Sequence, residues 1–92
     1  MRTPWRKTID IKVILHRDQG NTDPVYVAKV GKEIAALMRA KTPEIEQNFA
    51  FLDAVETLEE INPEDEEAVD VFNQALGELY DWADRERVWL GF

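Results

Sequence analysis

Chemistry in this chain has few places to start. Histidine occurs once, at His16. A general base or metal ligand there needs partners brought from elsewhere in the fold, and Asp18 is the only local one. The tripeptide His16-Arg17-Asp18 also occurs in kinase catalytic loops. Here the glycine-rich loop, the strand lysine and the chain length of those enzymes are missing. There is no cysteine, which excludes disulfides and thiolate metal sites. There is also no serine, the commonest hydroxyl nucleophile. The acidic run Asn62-Pro63-Glu64-Asp65-Glu66-Glu67 has neither the alternating ligands nor the sixth-position glycine of an EF-hand loop. Helix capping accounts for it. The many carboxylates could assemble a glycosidase pair, but their spacing singles out none. The sequence therefore names no catalytic, cofactor-binding or metal-ligating residue, and the expectation is a protein that is not an enzyme and carries no cofactor.

What does stand out is the distribution of charge. The net charge is −8 over 92 residues. Residues 1–17 carry Arg2, Arg6, Lys7, Lys12 and Arg17 against Asp10 alone, whereas no Lys or Arg occurs from Thr42 to Asp84. That stretch repels phosphates, so direct nucleic-acid binding through it is not expected. Placed on helices, its acids form ridges. Glu67, Asp70, Glu78 and Asp81 fall on one side of one helix, and Glu46, Asp53, Glu56 and Glu60 cluster in the same way on another. Carboxylates three or four residues apart lie about 5–6 Å from each other, close to the phosphate spacing of a nucleic-acid strand. Such ridges can occupy an Arg/Lys groove built for DNA or RNA. The plain alternative is a solvated face that maintains solubility. Such a face ordinarily mixes signs, because opposite charges at i,i+4 stabilise a helix and like charges destabilise it.

These ridges need elements to hold them. Ile9, Ile11, Val13 and Leu15 alternate with Asp10, Lys12, Ile14 and His16, which predicts a half-buried strand over 8–16. Trp5 shares its parity. Residues 17–22 read as a loop. Asp23-Pro24, Thr42-Pro43 and Asn62-Pro63 each set a capping residue before a proline, the pattern of a helix start. After Pro24, Val27, Val30, Ile34, Leu37 and Met38 recur at helical spacing. A strand over 25–30 is the competing reading, and Gly31 weakens a helix by about 1 kcal/mol relative to Ala. The second helix is expected over 43–61, with Ile45, Phe49, Leu52, Val55 and Leu58 on its apolar face and Phe51 toward an edge. The third is expected over 63–83, with Ala68, Val69, Phe72, Ala75, Leu76, Leu79, Tyr80 and Ala83 inward and Trp82 at the edge. Tryptophans at such edges are frequent interface anchors, so Trp82 joins the candidate contact residues. Core closure is the expected role for Trp5, Trp89 and Phe92. The apolar tail 87–92 predicts a second strand pairing with the first.

The whole of 1–92 is thus expected to be one α+β domain, mostly helical, in β-α-α-α-β order, with three helices packed on a small two-stranded sheet. No apolar run approaches the roughly 20 residues of a membrane span, and no hydrophobic signal core opens the chain. A cytoplasmic protein is the default.

The ending Leu79-Tyr80-Asp81-Trp82-Ala83-Asp84-Arg85-Glu86-Arg87-Val88-Trp89-Leu90, together with size and charge, resembles small acidic proteins encoded by bacteriophages. Some of those inhibit host defence systems. The resemblance carries no site residue, but it implies an inhibitor of anti-CRISPR or anti-restriction type. Its partner would be a basic protein or nucleoprotein complex met through acidic helices. The alternative is a small homo-oligomeric accessory protein, such as a homodimer, associating through apolar helix edges.

Overall fold

The structure is a computed structural model that describes residues 5–17 and 23–91. Residues 18–22, most of the expected loop, and Phe92 lie outside the described residues. The elements run β1 (Lys7–Ile9), α1 (Lys12–Arg17), α2 (Pro24–Lys41), a 3₁₀ turn (Glu44–Glu46), α3 (Phe49–Glu59), α4 (Ala68–Glu86) and β2 (Val88–Leu90). The expected class stands: a mostly helical α+β domain in which the two end strands pair and helices lie between them. The strands are parallel, with Lys7 opposite Val88 and Ile9 opposite Leu90. A parallel pair needs a long crossover, and here the whole helical body provides it.

The first strand is shorter than its alternation predicts. β2 offers only three residues, and Gly91, at φ +87°, ends it while donating its N–H to the Ile9 carbonyl at 2.8 Å. Beyond Ile9 no partner strand continues among the described residues. The Asp10 carboxylate takes the Val13 N–H at 3.3 Å, and the Ile11 carbonyl takes those of Ile14 and Leu15. The chain therefore winds into the short α1. Ile9 and Ile11 remain buried, while Val13 is 60% exposed.

α2 starts as Asp23-Pro24 predicts: the Asp23 carboxylate caps the Val25 N–H at 3.0 Å. The strand alternative over 25–30 is not formed. Gly31 is where α2 meets α3, since a Cβ there would stand 2.7 Å from the Leu58 carbonyl oxygen. Close packing offsets the weak helix propensity of glycine.

The other two Xaa-Pro pairs do not open helices. Thr42 is the C-cap of α2, giving its N–H to the Met38 carbonyl at 3.0 Å. Pro43 leads only into the 3₁₀ turn, and α3 begins later, capped by the Asn48 side chain on the Phe51 N–H at 3.0 Å. Asn62 and Asp65 each accept the backbone N–H two residues on, from Glu64 and Glu67, at 2.9 Å. These local turns compete with helical hydrogen bonding, and α4 starts at Ala68.

The break before α3 rotates its inward face. Phe51, Ala54, Val55 and Leu58 are buried, at i, i+3, i+4 and i+7. Ile45 and Phe49, expected inside, are 95% and 84% exposed. On α4, Ala68, Phe72, Ala75, Leu79, Trp82 and Ala83 are buried, while Val69 and Leu76 are half-buried and Tyr80, expected inward, is 40% exposed. Trp82 is only 1% exposed and packs on Phe51 with ring centroids 4.9 Å apart. Among the described residues, the buried Thr42 Oγ1 and Trp82 Nε1 have no hydrogen-bond partner. Among the described residues no helix is long and apolar enough to cross a membrane.

Two stability tests follow from this packing. Phe72→Ala should cost about 3–5 kcal/mol, read as a large fall in melting temperature, and an unchanged melt would remove Phe72 from the core. Thr42→Val replaces an unpaired buried hydroxyl with a methyl group. It should stabilise the fold by about 1 kcal/mol, and a lower melting temperature would mean that the hydroxyl is satisfied.

Candidate functional site

α3 and α4 run antiparallel, because Phe51 meets Trp82 while Asp53, further along α3, meets Glu78, further back on α4. One face of this pair is a shallow groove of about 260 Å³. Asp53, Glu78 and Asp81 converge there, beside Phe49 and Ala50. Arg85 also borders the groove but makes no ion pair with the three acids among the described residues. Partial loss of water pushes the Glu78 carboxyl above its usual range. A hydrogen bond shared with Asp53 and repulsion from Asp53 and Asp81 push it further in the same direction. The groove thus holds three carboxylates with a single base, Arg85, on its border and no ion pair to it among the described residues.

Other predicted contact residues are dispersed. Glu67 and Asp70 lie at the far end of α4 and are exposed. Asp70 is eight residues from Glu78, about 12 Å along a helix. Glu56 and Glu60 are exposed on the C-terminal half of α3, with Glu56 acting electrostatically on Arg39. Two of the predicted residues change role. Glu46 binds the Arg6 guanidinium through both oxygens at 3.1 and 3.0 Å, and Arg6 also donates from Nε to the Glu86 carbonyl at 2.8 Å. That hydrogen bond holds the Glu46 carboxyl below its usual range, so Glu46 staples the 3₁₀ turn to the end of α4. Trp82, expected at an edge, is enclosed by the α3–α4 packing and presents no contact surface.

The residue that sequence reasoning missed is Phe49. Its exposure follows from the Asn48 cap, which separates it from the core stripe. The signal was available in the Asn48 position, but Thr42-Pro43 offered a stronger-looking start. His16 ends α1 exposed to solvent. Among the described residues no group of three or more His, Asp or Glu side chains is placed to hold a metal ion.

The two shifted carboxyls act on stability in opposite senses. Glu78, raised in the fold, contributes stability that is full below the ordinary carboxylate value, about 4.3, and is lost as pH rises through its folded value. Glu46, lowered in the fold, contributes stability present above the ordinary value and lost as pH falls through its folded value. Glu78→Gln should therefore melt higher than wild type at neutral pH, and Glu46→Gln lower. Both differences should close on acidification. An offset independent of pH in either variant would refute the assigned environment.

No protein-family model, no curated protein and no solved structure matches the chain.

Proposed function

We propose that this protein is a non-enzymatic inhibitor or adaptor that binds a basic surface on a protein or nucleoprotein complex, with the α3–α4 groove as its contact. One observation supports this above the rest. Asp53, Glu78 and Asp81 are brought together against mutual repulsion, with no ion pair to a base among the described residues, next to a phenylalanine that is 84% exposed. A basic ligand relieves the repulsion, and Phe49 supplies an apolar anchor beside the charges. Both carboxylate-bearing helices are packed into the core, so little order has to be created on binding. An acidic groove of this kind competes with nucleic acid for an Arg/Lys surface, consistent with an anti-defence inhibitor of anti-CRISPR or anti-restriction type in the cytoplasm.

Exposure of Ile45, Phe49 and Val25 favours the second reading, a homo-oligomer joined through apolar edges, although a net charge of −8 opposes self-association at low salt. Size-exclusion chromatography across a salt series separates the two. Self-association that persists or strengthens at high salt supports the oligomer, whereas a monomer at every ionic strength removes it.

The direct test is capture from a bacterial lysate with wild-type and Asp53→Asn/Glu78→Gln/Asp81→Asn baits, followed by mass spectrometry. Wild type should retain a nucleic-acid-binding protein that duplex DNA displaces. The neutralised bait should retain roughly tenfold less of it or lower still, with its circular dichroism unchanged. Equal retention by both baits would sink the groove as the contact.

A further inference from the structure

On the other side of α4 from the acidic groove lies a second cleft, of about 410 Å³, within the size range of small-molecule sites. Its composition is different. Ala83, Val88 and Leu90 are buried and form its floor, while Trp5, Tyr80 and Trp89 are partly exposed and form its walls. The Trp5 and Trp89 rings meet at 5.1 Å between centroids, inclined by 58°, so the two ends of the described chain build one aromatic corner. Two charged side chains complete the lining, Lys12 and Asp84. Neither makes an ion pair or a side-chain hydrogen bond among the described residues. The Lys12 stem lies against Gly91, where a Cβ would stand 2.4 Å from Lys12 Cγ. The absence of a side chain at Gly91 lets the lysine lie along the end of β2.

We propose that this cleft binds a small zwitterion with an apolar body, namely a free aromatic amino acid. The apolar floor and aromatic walls take the side chain, burying its ring against Trp5 and Trp89. The Lys12 ammonium receives the α-carboxylate and the Asp84 carboxylate receives the α-ammonium, each through a charge-assisted hydrogen bond. Charge complementarity selects this ligand. A purely apolar ligand leaves both charges without a counterpart, a simple anion leaves Asp84 unmatched, and a simple cation leaves Lys12 unmatched. A second copy of this acidic chain is repelled. The site does not depend on the acidic groove or on any partner that binds there.

Titration of the uniformly ¹⁵N-labelled protein with L-phenylalanine, followed by NMR, tests the assignment. Saturable shifts should appear at millimolar ligand in the Trp5 and Trp89 indole N–H signals, while the enclosed Trp82 indole stays in place. N-acetyl-L-phenylalanine lacks the cation and L-phenylalaninamide lacks the anion. Each should bind about tenfold more weakly, as should L-phenylalanine to Asp84→Asn and to Lys12→Met, which keeps the apolar stem over Gly91. Thermal melts of both variants confirm folding. Absence of shifts at the two indoles would overturn the proposal, as would undiminished affinity in both variants. Equal binding of N-acetyl-L-phenylalaninamide would also overturn it and would assign the cleft to an aromatic residue within a peptide.

Discussion

Phe51 and Trp82 meet with their ring centroids 4.9 Å apart, and much of the rest follows from that contact. It locks α3 against α4 in antiparallel register, closes the core over Leu58, Phe72 and Leu79, and fixes which residues emerge on the open side of the helix pair. Asp53 comes out two residues along α3 from Phe51, and Glu78 one turn back from Trp82, so the apolar contact is what forces two carboxylates together. Burial of the large indole outweighs the unpaired Trp82 Nε1 beneath it, since a fully buried large aromatic contributes more than the roughly 1–3 kcal/mol that an unsatisfied donor costs.

Three arginines tie the architecture together. Arg6 joins the 3₁₀ turn to the end of α4, Arg17 joins α1 to α2 through Glu33, and Arg39 joins α2 to α3 through both oxygens of Glu59. Each pair is partly solvated and contributes little to stability on its own. Their larger effect is on where charge remains. Glu33, Glu46 and Glu59 are neutralised by neighbours from distant elements, whereas among the described residues the open face of α3 and α4 receives no such partner. The electrostatic asymmetry of the surface arises from the docking of elements as much as from the composition of the chain.

α4 separates two environments. Glu78, Asp81 and Arg85 border the acidic groove, while Tyr80, Ala83 and Asp84 border the aromatic cleft. At 3.6 residues per turn these two sets emerge well over a quarter-turn apart, so one helix can serve two unlike surfaces without their side chains competing for space. Both surfaces rest on the same buried stripe of α4.

Local signals in the sequence determined much. Helical spacing and the Asp23-Pro24 cap specified α2, the apolar period specified most of the inward face of α4 but not Trp82 in place of Tyr80, and the composition of Val88-Trp89-Leu90 specified a strand that pairs with the beginning of the chain. Acidic and basic residues also lie in the separated blocks from which the candidate groove was read. Only tertiary structure decided the remainder. Whether Ile11 through Leu15 continue as strand depended on a partner that stops at Gly91. Whether Asn48 or Thr42 opens α3 depended on which cap lets Phe51 reach Trp82, and that choice put Phe49 outside and Trp82 inside. Glu46 left the acidic surface because Arg6, forty residues away in sequence, docks beside it. Periodicity and capping are properties of neighbouring residues and can be read along the chain. The partners of a strand end, a helix edge or a carboxylate are set by apolar packing between segments far apart in sequence, and no local pattern encodes them.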